Sequence, residues 1–416
     1  MSRRRMLRLA ATGGMGLLGL ALAACAPSAP APAAATAAPA KPAATPAAVP
    51  TTAAAPTTAA APTSAAAQTA PAQAAPSGAW TQLVDAAAKE GKVVVSGPPT
   101  DEARQNIPTA FKQRFGIEVE YLGGNSSQLA SRIQSERAAG QYTIDVSLGG
   151  ADTFYRTFLD NQWLEPIKPI LMLPEVVDPK AWTLGHPWFR DPQRQDTILA
   201  LFNTISPIGY FNTALLAPEQ LKTADALLDP ALKGKIGAYN PSVNGGGVLA
   251  VSGMYVAKGP QFVKDLFTNQ AVAVTRDYQQ LADWVAHGNY PLCMGMLVHD
   301  AELLKADIPL QQTSFPDVQE ALSGGFGLVG LWTQAPHPNA AKVFVNWIAT
   351  KEGSSIYGRS DGSASVRADV DSTGWVPANL IPKPNGNYID SYDYVFVTET
   401  RAAIQKIMAP LVGGTA

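Results

Sequence analysis

Lys92-Val93-Val94-Val95-Ser96-Gly97-Pro98-Pro99-Thr100, with the segment Asp101 to Phe115 behind it, decides the fold class. The Val-rich run reads as a short buried strand. Gly97-Pro98-Pro99 must turn, because two prolines and a glycine continue neither a strand nor a helix. Beyond the turn, Ile107, Ala110, Phe111 and Phe115 share one helical face, with Pro108 expected near the first turn, where a missing N–H costs nothing. Upstream, Trp80, Leu83, Val84 and Ala87 recur at helical spacing until Gly91 stops them. Downstream come a strand at Glu118 to Leu122, the loop Gly123-Gly124-Asn125-Ser126-Ser127, a helix from Gln128 to Ala139 and a strand from Ile144 to Leu148. This βαβαβ alternation predicts an α/β fold with a largely parallel sheet covered by helices on both faces.

Ligands of open α/β sheets collect beyond the carboxyl ends of the strands. Three loops take that position: Ser96 to Thr100, Gly123 to Ser127, and Gly149 to Asp152. Their candidate ligand contacts are Ser96, Gly97, Pro98, Thr100, Asn125, Ser126, Ser127, Gly150 and Asp152. The same hydroxyl, amide and carboxylate groups serve equally well as caps of the helices that follow.

Trp163 to Asp196 is rich in proline and has no period, as expected of a long excursion over a first lobe. Strands at Ile198 to Phe202 and Ile208 to Phe211 flank Ser206-Pro207, where the chain is expected to change lobes. A second alternation then runs from a strand at Lys235 to Tyr239, through helices at Val248 to Ala257 and Gln261 to Thr268, to a strand at Val272 to Thr275. A helix from Tyr278 to His287 and a strand from Leu292 to Leu297 complete it. Between Tyr239 and the first of these helices lies Asn240-Pro241-Ser242-Val243-Asn244-Gly245-Gly246-Gly247. Free backbone N–H groups at a helix start suit a carboxylate or phosphate, although the run also reads as a glycine-rich bend. Tyr239, Asn240, Asn244 and Gly245 are therefore candidates. So is Arg276, at a strand end, as partner of an anionic group or of a surface salt bridge. Tyr278 and His299 complete the set.

The start of the chain has the order of an export signal: Arg3, Arg4, Arg5 and Arg8, an apolar run from Leu9, then Leu22-Ala23-Ala24-Cys25. The last four residues resemble a bacterial lipobox, which implies cleavage before Cys25 and a lipid on its thiol. The arginine cluster resembles a twin-arginine signal. From Ala26 to Gly78 the chain is almost entirely Ala, Pro, Thr and Ser, and its single charge is Lys41. It buries too little apolar surface to fold and reads as a tether whose roughly fifty-three residues reach about 40 Å on average. Without signal and tether, 26 Lys and Arg stand against 33 Asp and Glu, a net charge near −7 that argues against a nucleic-acid partner. Cys293, the only other cysteine, lies in an apolar run and reads as a buried strand residue; with Cys25 lipidated, no internal disulfide forms.

Gly209-Tyr210-Phe211-Asn212-Thr213 and Leu227-Leu228-Asp229-Pro230-Ala231-Leu232-Lys233-Gly234-Lys235-Ile236 resemble the middle of extracytoplasmic solute-binding proteins of ABC importers. Val285-Ala286-His287-Gly288-Asn289-Tyr290-Pro291, and the stretch from Pro336-His337-Pro338 to Lys351-Glu352-Gly353, extend the similarity over nearly all of Val93 to Tyr357. The branch resembled holds ferric-iron, polyamine, thiamine and phosphonate binders. The resemblance implies a type II periplasmic-binding-protein-like fold, two lobes with the ligand between them, a hinge motion, an ABC permease as partner and a monomeric state. It implies crossings near Leu201 to Pro207 and Pro309 to Pro316, with lobe 1 at 79–204 and 317–352 and lobe 2 at 207–310 and 353–416. Iron-binding members commonly carry adjacent tyrosines; this sequence has no Tyr-Tyr pair, and no cofactor is expected. The competing classes are an exported hydrolase and a purely structural lipoprotein. Against the first, no His-Glu-x-x-His occurs, and His186, His287, His299 and His337 have no metal-like spacing.

Overall fold

The computed structural model describes residues 78–413 except 125, 193–195 and 384–385; the side chains at 126, 127, 299 and 303 are also outside the description. The leader, Cys25, the tether to Ser77 and Asn125 thus lie outside the described residues. In chain order the first elements are α1 (Gly78–Glu90), β1 (Lys92–Gly97), α2 (Asp101–Phe115), β2 (Glu118–Gly123), α3 (Ser126–Ala138) and β3 (Val146–Gly149). The Thr100 hydroxyl caps α2 by accepting from the Ala103 N–H, and Gly116, at φ 71°, ends it in the left-handed region that glycine enters freely. Pro108 falls in the interior of α2, not in its first turn. The lost hydrogen bond costs about 3 kcal/mol. Burying Ile107 and Phe111 beside it returns about 1.5–3 kcal/mol for each, so the apolar face overrides the local preference.

The Pro-rich excursion is built from pieces too short to show a period: α4 (Ala151–Thr153), continued by a wider turn over Phe154–Leu159, then β4 (Leu164–Glu165), α5 (Pro174–Val177) and β5 (Trp188–Phe189). After β6 (Leu199–Ala200), β7 (Thr204–Ser206) and β8 (Gly209–Asn212) come β9 (Ile236–Tyr239), α6 (Gly246–Asn269), β10 (Ala273–Thr275), α7 (Tyr278–Ala286), β11 (Leu292–Met294), α8 (Val298–Leu304) and β12 (Leu310–Thr313). The helix α6 breaks at Gly259, φ 85°, ahead of Pro260, giving the two segments its sequence predicts. The chain ends with β13 (Ala321–Ser323), β14 (Leu328–Trp332), α9 (Pro338–Ile348), α10 (Lys351–Asp361), β15 (Ile389–Asp390) and α11 (Arg401–Val412).

Two open sheets result. One has the order β2-β1-β3-β14-β6-β5, with β4 also on β14; β2, β1 and β3 are parallel and β14 runs against β3. The other has the order β10-β9-β11-β8-β12, with β10, β9 and β11 parallel and β8 antiparallel. A third sheet, β15-β13-β7, joins three passages of the chain between them. The first of these passages is β7, between β6 of the one sheet and β8 of the other. The second was expected near Pro309 to Pro316, but Leu310–Thr313 pairs with β8 inside the second sheet, so the chain leaves that sheet after Thr313 and reaches the third sheet only at Ala321.

Each lobe has its own core. Phe111 packs edge-on against Phe344 and Trp347, with ring centroids 5.2 and 5.3 Å away, in the first. Ile236, Val251, Met254, Leu266 and Leu292 fill the second. The tail from residue 353 was expected on the second lobe, but α10 packs on α2 and α9, and Tyr357 and Val366 lie in the first core. Among its elements α11 packs on α6, placing Ile404 and Met408 in the second core. Weakly periodic segments give no direction of travel, which is why this split is silent in the sequence.

Candidate functional site

The carboxyl ends of the parallel strands in both sheets carry the residues singled out above. On the first lobe most of them are engaged structurally. Ser96 is buried, its hydroxyl 2.6 Å from that of Ser147, which also accepts from the Trp332 indole N–H at 2.8 Å. A β-carbon at Gly97 would collide with the Tyr121 hydroxyl, and that hydroxyl donates to the Pro98 carbonyl at 3.1 Å. Thr100 caps α2 and also donates to the Ser360 carbonyl at 3.3 Å. Gly150 precedes α4 as its cap without a side-chain bond. The backbone of Ser126 and Ser127 opens α3, at the end of the second loop. Asp152 is different. It is partly exposed, 3.4 Å from Arg156 Nε, and accepts at 3.0 Å from Nδ2 of Asn244 in the other lobe.

On the second lobe the predicted residues converge. Tyr239 at the end of β9 and Tyr278 at the start of α7 stack, with centroids 4.0 Å apart and planes 11° from parallel. The Tyr278 hydroxyl accepts from the Gly246 N–H, the opening of α6, at 2.9 Å. Burial pushes both phenols above their ordinary range. Gly245, at φ 139°, lies under both rings: a β-carbon there would stand 2.6 Å from the Tyr278 hydroxyl. Gly246 and Gly247 run backbone-to-backbone against Gly295 and Tyr239, leaving no room for side chains. Asn240 is fully buried; its Oδ1 accepts from the Ser242 N–H and hydroxyl at 2.8 and 2.7 Å, and its Nδ2 has no partner among the described residues. Arg276 is exposed and makes no ion pair among the described residues, while its charge acts on Tyr239. His299 is the second residue of α8, next to Asp300, whose charge reaches Tyr278.

Two features were not read from the sequence. Gln405 of α11 donates to Asn244 Oδ1 at 2.9 Å, so the tail reinforces the contact across the lobes. Asp361, the last residue of α10, stands at the carboxyl end of the first sheet, its carboxyl accepting from Ser363 Oγ at 2.7 Å and from the Phe326 N–H. Nothing local marks Asp361; only the packing of α10 on α2 brings it there.

Among the described residues no three His, Cys, Asp or Glu side chains form a metal-sized group. Cys293 is buried, and burial pushes its thiol up to about 12, as suits a strand residue without redox or nucleophilic work. No helix among the described residues is long and apolar enough to cross a membrane.

The profile of the bacterial extracellular solute-binding proteins matches residues 74–354, well over half the chain. The chain belongs to that family. As a solute-binding protein it captures a substrate outside the cytoplasm for an ABC importer. Its fold is that of solved periplasmic binding proteins. Iron-bound HitA from Pseudomonas aeruginosa superposes with a TM-score of 0.60 at 16% identity over 77% of this chain and 99% of that one. The apo ferric ion-binding protein A of Pasteurella haemolytica gives 0.59 at 14%, over 77% and 98%. AfuA from Actinobacillus pleuropneumoniae, with fructose-6-phosphate bound, gives 0.56 at 18%, over 78% and 99%. No curated protein sequence matches this solute-binding protein.

Proposed function

We propose that this solute-binding protein closes its lobes on a small polar or anionic solute and, from a lipid anchor at Cys25, presents it to an ABC permease as a monomer. The Asn244 to Asp152 hydrogen bond carries the reading, because it joins loops at the carboxyl ends of strands from both sheets, where a ligand lies in such folds. Around it the start of α6 supplies a positive dipole end, and Arg276 a guanidinium without an ion pair among the described residues. The stacked Tyr239 and Tyr278 make one wall. No turnover is expected. Native mass spectrometry of the freshly purified protein, then melting with phosphonates, sugar phosphates, thiamine and polyamines, tests this. A bound solute raises the melting temperature and small-angle scattering shows contraction. If every solute leaves melting and scattering unchanged, the reading fails. For the anchor, Cys25→Ser is expected to move the protein out of the membrane fraction.

Ferric iron is the second reading. The fold stacks Tyr239 on Tyr278, giving two tyrosines that the sequence keeps apart, and the iron-bound neighbour shares the architecture. Iron must first displace phenolic protons that burial holds tightly. A visible phenolate-to-iron absorption on adding ferric citrate, lost in Tyr239→Phe, supports iron; its absence leaves the organic solute.

A further inference from the structure

Resting on the reading of a solute held between the lobes, we propose that Asp361 is a specificity-determining carboxylate of the cleft, and that the solute presents a cationic nitrogen to it.

Position is the first argument. The helix α10 lies along α2, and its last turn reaches the carboxyl end of β1, where the Ser360 carbonyl and hydroxyl accept from Thr100 and Asn106 at 3.3 and 3.2 Å. Asp361 follows directly. It abuts Gly325, at the entry to β14, whose first residue pairs with the last of β3. The carboxyl group is therefore at the rim where the first sheet offers its strand ends, beside the exit of hinge strand β13.

The second argument is what surrounds it. The titratable groups that feel its charge are phenols: Tyr121 of β2, Tyr357 of α10 and Tyr392 beside the tail strand β15. Arg104 of α2 acts on Tyr121 and reaches the Gly123 carbonyl at 3.3 Å; Arg359 of α10 stacks on Trp375, 5.4 Å from its ring. Neither arginine pairs with Asp361, which makes no ion pair among the described residues. Tyr357 and Tyr392 donate to the Phe326 and Gly325 carbonyls at 2.7 and 3.4 Å, and the carboxyl accepts from the Phe326 N–H. These bonds hold the segment and fix the carboxyl in place; none supplies positive charge.

A carboxylate beside the strand ends, without an ion pair among the described residues, suits a positively charged nitrogen, which gains the ion pair. On the opposite lobe the start of α6 and Arg276 offer positive charge, with the carboxylates of Asp277 and Asp300 close by. Together they select a solute with an anionic end and a cationic end. Burial raises the Asp361 carboxyl to about 7, so near neutral pH a bound ammonium displaces the carboxyl proton, which leaves to solvent.

The test reads the carboxyl itself. Carbon-13 NMR of aspartate-labelled protein, with Asp361→Asn assigning the signal, is followed through a pH titration in ethylammonium chloride and in sodium chloride at equal ionic strength. Ethylammonium is expected to lower the Asp361 titration midpoint relative to sodium. An identical midpoint in both salts overturns the proposal, whatever the solute proves to be. The matched pair 2-aminoethylphosphonate and ethylphosphonate gives a second readout. The amine is expected to bind at least tenfold more tightly to the wild type, with the gap lost in Asp361→Asn. Equal affinities, or a gap that survives the substitution, count against Asp361; if neither probe binds, the carbon-13 titration alone decides for or against Asp361, and lobe capture is judged by the full solute panel.

Discussion

Asn244 Nδ2 lies 3.0 Å from Asp152 Oδ2, and Gln405 Nε2 lies 2.9 Å from Asn244 Oδ1, so one exposed asparagine joins a loop of the second lobe to a helix start of the first and to the tail. Solvent competes at such a site, and each bond contributes about 0.5–1.5 kcal/mol. Asn244→Ala is therefore expected to shift the lobes toward the open form by a factor of about two to ten, with little change in melting. Scattering of the ligand-free protein checks it: the radius of gyration should rise. An unchanged radius shows that the contact does not bias closure.

The glycines at the start of α6 make a sharper case. A β-carbon at Gly247 would run into the Tyr239 carbonyl, and one at Gly246 into the Gly295 carbonyl. Backbone cannot move aside as a flexible side chain can. Gly247→Ala is expected to cost at least about 2–3 kcal/mol of stability, as overpacking in a closed core does. Gly234→Ala, with open space around it but φ 73°, is the comparison and should cost about 1 kcal/mol. Denaturant titration of the two variants separates steric collision from backbone strain.

The fold was legible where period and punctuation agree. Val93 to Val95 between Gly91 and Pro98, and Ile236 to Tyr239 before the glycine run, give their strands without tertiary help, and the βαβαβ order follows. What the sequence does not carry is which lobe a short segment joins: Leu310–Thr313 reads as a crossing yet pairs with β8, and α10 reads like α11 yet packs on the other lobe. The site divides in the same way. Tyr239, Asn244, Gly245 and Tyr278 converge because each sits at an element boundary, where loop chemistry is local. Asp361 is brought in by a long-range packing of α10, and no residue beside it announces that. Ser96 and Thr100 hold reading positions in the first loop but use their hydroxyls on Ser147 and on the α2 cap.

Arg276 tests the proposed anionic end of the solute separately. It is exposed and makes no ion pair among the described residues, so its removal disturbs little of the folded structure. Arg276→Gln is expected to leave stability within about 0.5 kcal/mol. Loss of a charge-assisted bond to an anionic ligand corresponds to about 1.5–3 kcal/mol, or roughly a tenfold to hundredfold weaker affinity. Calorimetric titration with whichever solute raises melting decides it. An unaltered dissociation constant places Arg276 outside the site.

Asp361 also predicts how the unliganded protein responds to pH. Burial raises its carboxyl to about 7, against about 4 in an unfolded chain, because the charged form loses hydration that Ser363 and the Phe326 N–H only partly replace. Between these values the folded state holds a proton that the unfolded state has released. Stability therefore falls as pH rises through that window; the contribution is complete below about 4 and gone above about 7. Asp361→Asn keeps the shape, never ionises, and should flatten this part of the profile. The variant is expected to be more stable than the wild type at pH 8 and similar to it at pH 4, with a difference of order 1–4 kcal/mol set by the size of the shift. Chemical denaturation of both proteins at closely spaced pH values measures this. Parallel profiles would mean that the carboxyl titrates alike in both states, and that something other than burial holds Asp361 at the cleft rim.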